Sequence, residues 1–282
     1  LSSSGTYETN IIVLSQAYTN NIAPSYPCTI MMVEPDGTND YRSSTFSGYI
    51  TPADLHATGQ TTKIEYAHWT PGYNGINPQG RNFTIGRGMN MNGTARTLYG
   101  SNTQTAMNQV LVVESGIFSN YRGCAARPTS HTKQIVVFGN DYDRAKNDND
   151  KMNITGSIYG LTNSTNLSLT DISKELFHIT VKSGKFYHDA SVGNASYDNS
   201  FYLFDYSQNN NGTRTLVIEG GEFGHIAGGA NSTSGDNNVV NVKIRMKGGT
   251  VNGSIYGGAA QYNASGSKQF VFTGGKVKGW IA

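Results

Sequence analysis

Charge and long apolar runs are scarce in this sequence. Only 14% of its 282 residues are Asp, Glu, Lys or Arg, and the formal net charge is +2. So weak and scattered a charge excludes the strong basic field that binds nucleic acid or anionic membranes. No apolar run approaches the ~18 residues that a transmembrane helix needs, so the sequence predicts no membrane span and no nucleic-acid partner.

Cysteine is also scarce, because Cys28 and Cys124 are the only two. This excludes a disulfide-built scaffold and a cysteine-rich zinc site. Glycine, with 34 residues, and tyrosine, with 17, are abundant, as are Asn, Ser and Thr. Such a composition is typical of strands joined by tight turns and leaves few segments that favour an amphipathic helix. The composition therefore predicts an all-β protein.

A degenerate repeat runs through most of the chain. Five segments superpose without a gap when they are aligned on a small residue followed by glycine: LVVESGIF, ITVKSGKF, LVIEGGEF, IRMKGGTV and FVFTGGKV. Alternation before the glycine predicts two apolar columns on one buried strand face, and a third column turns inward after it. The columns are Leu111, Ile179, Leu216, Ile244 and Phe270; Val113, Val181, Ile218, Met246 and Phe272; and Phe118, Phe186, Phe223, Val251 and Val277.

The length of the repeat predicts the architecture. Equivalent turns at Met91 and Ile154 extend the series to seven, and the shortest interval, from Val251 to Val277, is 26 residues. Such a repeat is too long for a hexapeptide solenoid and fits a parallel β-helix with three short strands in each coil. We expect seven or more stacked coils. The residue just before the small residue and glycine of each repeat forms an outward column. Where coils are neighbours, this column places opposite charges side by side: Glu114, Lys182, Glu219, Lys247 and Thr273.

The two ends of the chain differ from the repeats. Residues 81–282 carry the predicted β-helix, whereas residues 1–80 repeat poorly and form either irregular coils, which we favour, or an N-terminal cap. The C-terminal GWIA matches GHIA at 224–227, after which the earlier copy continues, so the chain is expected to stop inside a coil. Further coils of a longer parent chain, or another subunit, are the expected partners of that end.

Two segments resemble a known group of proteins. NFTIGRGM (82–89) followed by LYG, and GGTVNGSIYGGA (248–259), are similar to repeats of secreted or surface-exposed right-handed β-helix proteins, pectin-lyase-like and adhesin-like, of Bacteroidetes-type bacteria. The resemblance spans roughly residues 82–282 and concerns the fold. It implies a right-handed parallel β-helix and an exported, extracellular or cell-surface protein.

The best candidate binding face follows from the corner motif. Leu98, Ile158, Ile226, Ile255 and Ile281 are predicted to point inward, which turns their outward neighbours to solvent: Tyr99, Arg122, Tyr159 and Tyr256. Tyrosine rings are suited to stacking on sugars, and arginine binds carboxylates. The alternative is that these are ordinary exposed tyrosines of a β protein.

A second aromatic group lies in IEYAHWTPGYNG (64–75). It consists of Tyr66, Trp69 and Tyr73, in a segment that Pro and Gly mark as a loop. This loop is either a glycan contact or a cover over the N-terminal core. The sequence alone favours neither alternative.

Metal and catalytic candidates are weaker. Asp141, Asp143, Asp148 and Asp150 offer oxygen ligands for calcium, the one cofactor considered, but their spacing is not that of an EF-hand, and a solvated loop is the favoured alternative. His188 and His225 fall in one predicted column, where an outward polar ladder is favoured over an acid–base pair.

We therefore expect a secreted structural or adhesin-like module that binds carbohydrate or a surface protein along its Tyr/Arg face. Proteins of this fold also include polysaccharide lyases and hydrolases. The sequence has neither adjacent aspartates nor a Gly-His-Gly segment, so no enzyme is predicted. A lyase-like or hydrolase-like enzyme, and a subunit of a larger surface complex, are the alternatives.

Overall fold

A computed structural model describes 16 stretches of the chain: residues 10–14, 17–32, 46–53, 61–70, 76–89, 91, 97–101, 108–124, 133–140, 152–156, 158–160, 175–186, 200–203, 212–228, 240–258 and 266–282. Within these residues all regular structure is β-strand, and every strand pairing is parallel. The predicted all-β class is confirmed for this part of the chain. The same residues contain no helix long and apolar enough to cross a membrane.

The largest of three sheets has ten strands. Its members, in spatial order, are β1 (Asn10–Leu14), β2 (Cys28–Met32), β3 (Thr62–Ile64), β4 (Phe83–Ile85), β6 (Gln109–Val113), β9 (Gln134–Phe138), β12 (Glu175–Val181), β15 (Gly212–Ile218), β18 (Val240–Met246) and β21 (Lys268–Phe272). The first three strands, which come from the poorly repeating residues 1–80, pair in register within this same sheet. The division at residue 80 stays a prediction.

Two six-stranded sheets complete the described structure. One consists of β7 (Gly116–Phe118), β10 (Met152–Ile154), β13 (Lys185–Phe186), β16 (Glu222–Phe223), β19 (Thr250–Val251) and β22 (Lys276–Val277). The other, called here the tyrosine sheet, consists of β5 (Thr97–Ser101), β8 (Asn120–Cys124), β11 (Ile158–Tyr159), β14 (Ser200–Tyr202), β17 (His225–Ala227) and β20 (Ile255–Tyr256).

The chain visits the three sheets in a fixed rotation from β6 onward. Each strand pairs with the strand three places later in sequence, so β6 pairs β9, β7 pairs β10 and β8 pairs β11. We call each set of three successive strands a rung. This rotation is compatible with a parallel β-solenoid, in which successive rungs lie about 4.8 Å apart.

The strand register confirms the predicted columns from β6 onward, but the last member of the second column, Phe272, was predicted to be buried and is 40% exposed. Val136 pairs with both Leu111 and Ile179, and the column continues through Leu216 and Ile244. The third column likewise runs through Phe118, Ile154, Phe186, Phe223, Val251 and Val277. Most of these side chains are fully buried and form one apolar core. Core packing therefore follows from the period-2 pattern of each strand.

Aromatic rings fill the middle of that core. Phe186 stacks on Phe223 with centroids 5.2 Å apart, and it also contacts Phe138 and Phe201. Tyr121 meets Phe138 edge-on at 5.1 Å. Tyr121 and Phe201 are inward residues of the tyrosine sheet that the corner motif did not predict. Their rings join the three sheets across the interior.

Candidate functional site

The tyrosine sheet brings the predicted Tyr/Arg residues into one column. Tyr99 pairs in register with Arg122, and Arg122 pairs with Tyr159 on the next strand. The column continues through Tyr202 and Ala227 to Tyr256. We call Tyr99, Arg122, Tyr159 and Tyr256 the Tyr/Arg strip. Residues far apart in sequence thus lie on consecutive or nearby rungs.

Alternation along each strand explains why the strip faces outward. Leu98, Ile158, Ile226 and Ile255 are fully buried, as the sequence predicted, so the residues that follow them point away from the core. Arg122 is exposed, and Tyr99, Tyr159 and Tyr256 are half-buried. Ile281, expected to be inward, is bridged to Ile255 but is 49% exposed. Ala227, by contrast, is buried, so it leaves a gap in the strip before Tyr256.

Within its six strands, the tyrosine sheet carries one Lys, Arg, Asp or Glu residue, Arg122. None of the residues in the six strands of the tyrosine sheet is Asp or Glu. Within the described part of the chain, the Arg122 guanidinium has no hydrogen-bond or ion-pair partner. An exposed arginine that has no partner in the described part of the chain is available to bind an external acceptor.

His225 joins the strip at its far end. Its ring stacks on Tyr256 with centroids 6.2 Å apart, and its Nδ1 accepts a hydrogen bond of 3.0 Å from the backbone N–H of Ser254. Burial lowers the pKa of His225 from its ordinary value. Accepting a backbone N–H requires an unprotonated Nδ1, so both effects favour the neutral ring. His188, its predicted companion, lies outside the described residues.

The aromatic segment at residues 64–75 separates into different environments. Trp69 is 1% exposed, stacks on Phe46 at 5.6 Å and donates from Nε1 to the carbonyl oxygen of Gly48 at 3.0 Å. A ring so buried presents no face to a ligand, so Trp69 covers the N-terminal core. Tyr66 is 41% exposed with φ of 47°. Tyr73 lies outside the described residues.

The residues of the calcium hypothesis fall in a part of the chain that the structure does not describe. Asp141, Asp143, Asp148 and Asp150 all lie outside the described residues. Where the chain is described, no three His, Cys, Asp or Glu side chains lie close enough together to hold a metal ion. The calcium assignment therefore stays a prediction.

Sequence reasoning missed an ionic cluster on the outer face of the ten-stranded sheet. Glu175 accepts from Lys133 Nζ at 2.7 Å and from His178 Nδ1 at 3.1 Å. Burial alone would raise the pKa of Glu175, but hydrogen bonds from Lys133, Thr215 and His178, with the charge of His178, hold that pKa at about 2. A register shift between Glu175 and Phe177 accompanies the cluster.

It also missed a buried arginine. Arg214 lies in β15 between the inward positions Phe177 and Val242 of the neighbouring strands, and its side chain is fully buried. Burial lowers the pKa of Arg214 to about 9. The alternation that places Leu216 and Ile218 inside also places Arg214 there, so the signal was present in the strand pattern. The position was nevertheless not predicted to be buried, because arginine side chains are rarely buried.

The strip and the ionic cluster thus present two different chemistries on two different sheets. The strip offers aromatic faces and an unengaged guanidinium, whereas the cluster holds its charges in mutual contact. Comparison with known proteins adds no assignment to either surface: no protein-family model, curated protein sequence or solved structure matches this chain.

Proposed function

We propose that this chain is a right-handed parallel β-helix that acts as a binding module, with the Tyr/Arg strip as its carbohydrate-contacting surface. The rotation of strands through three parallel sheets and the continuous buried columns support the β-helix. Handedness rests on the resemblance of residues 82–282 to right-handed β-helix repeats and on the strong right-handed preference of parallel crossover connections.

One observation carries the function: Tyr99, Arg122 and Tyr159 occupy three consecutive rungs of one sheet and point outward. The two tyrosines lie two rungs apart, about 10 Å along the sheet. That separation is comparable to the length of two sugar residues in an extended glycan. A strip with this spacing contacts alternate sugars of one chain.

The chemistry of the strip fits such a ligand. A tyrosine ring offers an apolar face for the C–H side of a sugar and a hydroxyl for its polar edge. Arg122 adds a planar set of donors for sugar hydroxyl or carboxylate oxygens. Because the side chains stand on paired strands, their spacing is fixed before the ligand arrives, which lowers the entropy cost of binding.

The location of the module is a second part of the proposal. The resemblance to exported β-helix repeats supports a place outside the cell, where polysaccharides and surface proteins are the available ligands. A surface protein that docks on the same strip, or a larger surface assembly that contains this chain, would use the same exposed residues.

A glycan array tests the proposal, with Tyr99→Ala, Arg122→Ala and Tyr159→Ala variants compared with the unchanged protein. Each substitution removes an outward side chain, so folding should be preserved and binding should weaken about tenfold, the value of one stacked or charged contact. Tyr26→Ala is the matched control, since Tyr26 is 71% exposed and lies outside the strip. Unchanged glycan binding in all three strip variants would contradict the proposal.

The ionic cluster supports one alternative, a polysaccharide-cleaving enzyme. Glu175 is ionised and orients the His178 ring through Nδ1, the arrangement that prepares a histidine to act as a general base. The same purified protein should be incubated with uronate-containing and neutral polysaccharides, and the products assayed for new reducing ends and unsaturated sugars. Products that disappear in His178→Gln would favour the enzyme over the binding module.

A further inference from the structure

A polar groove lies at the turns between the ten-stranded sheet and the six-stranded sheet that contains β7. It is lined by residues in the turns that lead out of the ten-stranded sheet: Asn140, Lys182, Ser183, Glu219, Gly220, Gly221 and Gly249. These residues follow β9, β12, β15 and β18, so the groove spans four rungs, or about 14 Å. Its volume is about 450 Å³. We call it the corner groove.

Glycines form the floor of the corner groove because the rungs stack too closely there for side chains. A Cβ on Gly249 would lie 2.7 Å from the carbonyl oxygen of Gly221, and one on Gly220 would collide with that of Lys182. Gly221 and Gly249 also have φ of 91° and 81°, which strongly favours glycine. The floor is therefore backbone, and the polar side chains stand at its sides.

Asn140 is held in place with one acceptor unused. Its side chain is only 8% exposed, and Nδ2 donates to the carbonyl oxygen of Glu114 at 3.3 Å. Its backbone N–H donates to Ser183 Oγ at 3.2 Å, and that hydroxyl donates back to the Asn140 carbonyl oxygen at 3.2 Å. No described residue donates to Asn140 Oδ1. The Oδ1 atom is therefore an acceptor that a ligand in the groove can use.

Glu219 provides a second acceptor. Its Oε1 accepts from Lys247 Nζ at 2.9 Å, which confirms the opposite-charge pairing predicted for these two positions. Its other oxygen has no partner among the described residues. Lys182 contributes a donor on the preceding rung. Amide, carboxylate and ammonium groups thus meet within one elongated groove that has no aromatic wall.

From this geometry we propose that the corner groove is a second ligand site, which binds a short neutral oligosaccharide through hydrogen bonds. Sugar hydroxyls both donate and accept, so they match Asn140 Oδ1, Glu219 and Lys182 together. The Glu219 carboxylate accepts hydrogen bonds from sugar hydroxyls, whereas the ionised carboxylates of a uronate-containing glycan have no proton to donate to it. The four-rung length accommodates an extended oligosaccharide. The site is independent of the Tyr/Arg strip.

Saturation-transfer NMR with cellohexaose, maltohexaose and mannohexaose tests the proposal, with an oligogalacturonate as the acidic comparison. At least one neutral hexasaccharide should bind, and Glu219→Gln should weaken that binding about tenfold, since a hydrogen bond to a charged group is lost. Lys247→Gln breaks the same ion pair but leaves the Glu219 carboxylate in place. It is therefore the matched control and should change affinity less than twofold.

A Tyr99→Ala/Tyr159→Ala double variant separates this site from the strip. Binding at the corner groove should survive in that variant, whereas binding at the strip should not. Three outcomes would overturn the groove proposal. They are no saturation transfer to any neutral hexasaccharide, binding of the oligogalacturonate alone, or equal losses of affinity in the Glu219→Gln and Lys247→Gln variants. The last would mean that the ion pair only supports the local structure.

Discussion

The side-chain amide of Gln134 donates a hydrogen bond to the side-chain oxygen of Gln109, which lies opposite it on the neighbouring strand of the ten-stranded sheet. Gln134 Nε2 also donates to the carbonyl oxygen of Gly123 at 3.1 Å, and the Tyr121 hydroxyl lies 3.3 Å from Gln134 Oε1. Gln109 Nε2 in turn donates to the Gly100 carbonyl oxygen at 2.8 Å. Buried glutamines thus join the ten-stranded sheet to the tyrosine sheet.

Gln134→Leu should destabilise the protein by about 2–3 kcal/mol, because it leaves the Gly123 carbonyl, the Gln109 oxygen and the Tyr121 hydroxyl buried with fewer partners. Urea unfolding followed by circular dichroism measures the change. Gln269→Leu is the control: Gln269 is exposed on β21, so its replacement should stay within about 0.5 kcal/mol. Similar free energies for the two variants would contradict the role assigned to the glutamine pair.

The sequence predicted the strand columns because each depends on a short local pattern. Leu111 and Val113, or Leu216 and Ile218, alternate within one strand, and the glycine that follows sets their register. The Tyr/Arg strip could be predicted for the same reason. The Lys133–Glu175–His178 cluster could not, since Lys133 directly precedes the neighbouring strand β9 and meets Glu175 only when the rungs stack. Trp69 was placed in a loop from its flanking proline, yet stacking on Phe46 buries it.

Phe223→Ala should cost about 3–5 kcal/mol of folding free energy, because it opens a cavity beside the Phe186 ring in the fully buried column. Phe272→Ala provides the comparison. That ring also stacks on a neighbour, Phe270, but it is 40% exposed, so about 1–2 kcal/mol is expected. Thermal unfolding of the two variants checks the order, and a larger loss for Phe272→Ala would contradict the dependence of stability on burial within the columns.

The protein should lose stability as the pH falls below 6.5, the ordinary pKa of histidine. Burial lowers the pKa of His225 in the folded state, so at mildly acidic pH the unfolded chain binds a proton that the folded chain does not. The contribution is fully present above pH 6.5 and declines until the folded pKa is reached. His225→Asn keeps an acceptor for the Ser254 N–H without titrating.

Melting temperatures measured from neutral pH down to about pH 5 should therefore fall more steeply for the unchanged protein than for His225→Asn. Parallel curves for the two proteins would show that His225 contributes nothing to this pH dependence.

A second acidic transition should come from Glu175. Its pKa is about 2 in the folded protein, below its ordinary value of 4.5, so the folded state holds the carboxylate ionised where the unfolded chain would bind a proton. The stabilisation is present above pH 4.5 and is lost as the pH falls towards 2. Because the side chain is partly exposed, we expect about 1 kcal/mol after solvent screening.

Glu175→Gln should abolish the part of the stability loss that falls between these two pKa values, because glutamine does not titrate. Lys133→Met should remove only part of it, since His178 and Thr215 still donate to the carboxylate. Urea unfolding at a series of acidic pH values gives the slope for each protein. Glu175→Gln could instead retain the full pH slope of the unfolding free energy seen in the unchanged protein. The acid sensitivity would then come from other carboxylates. In that case the register shift at Glu175, rather than the charge of the cluster, would set the geometry of the cluster.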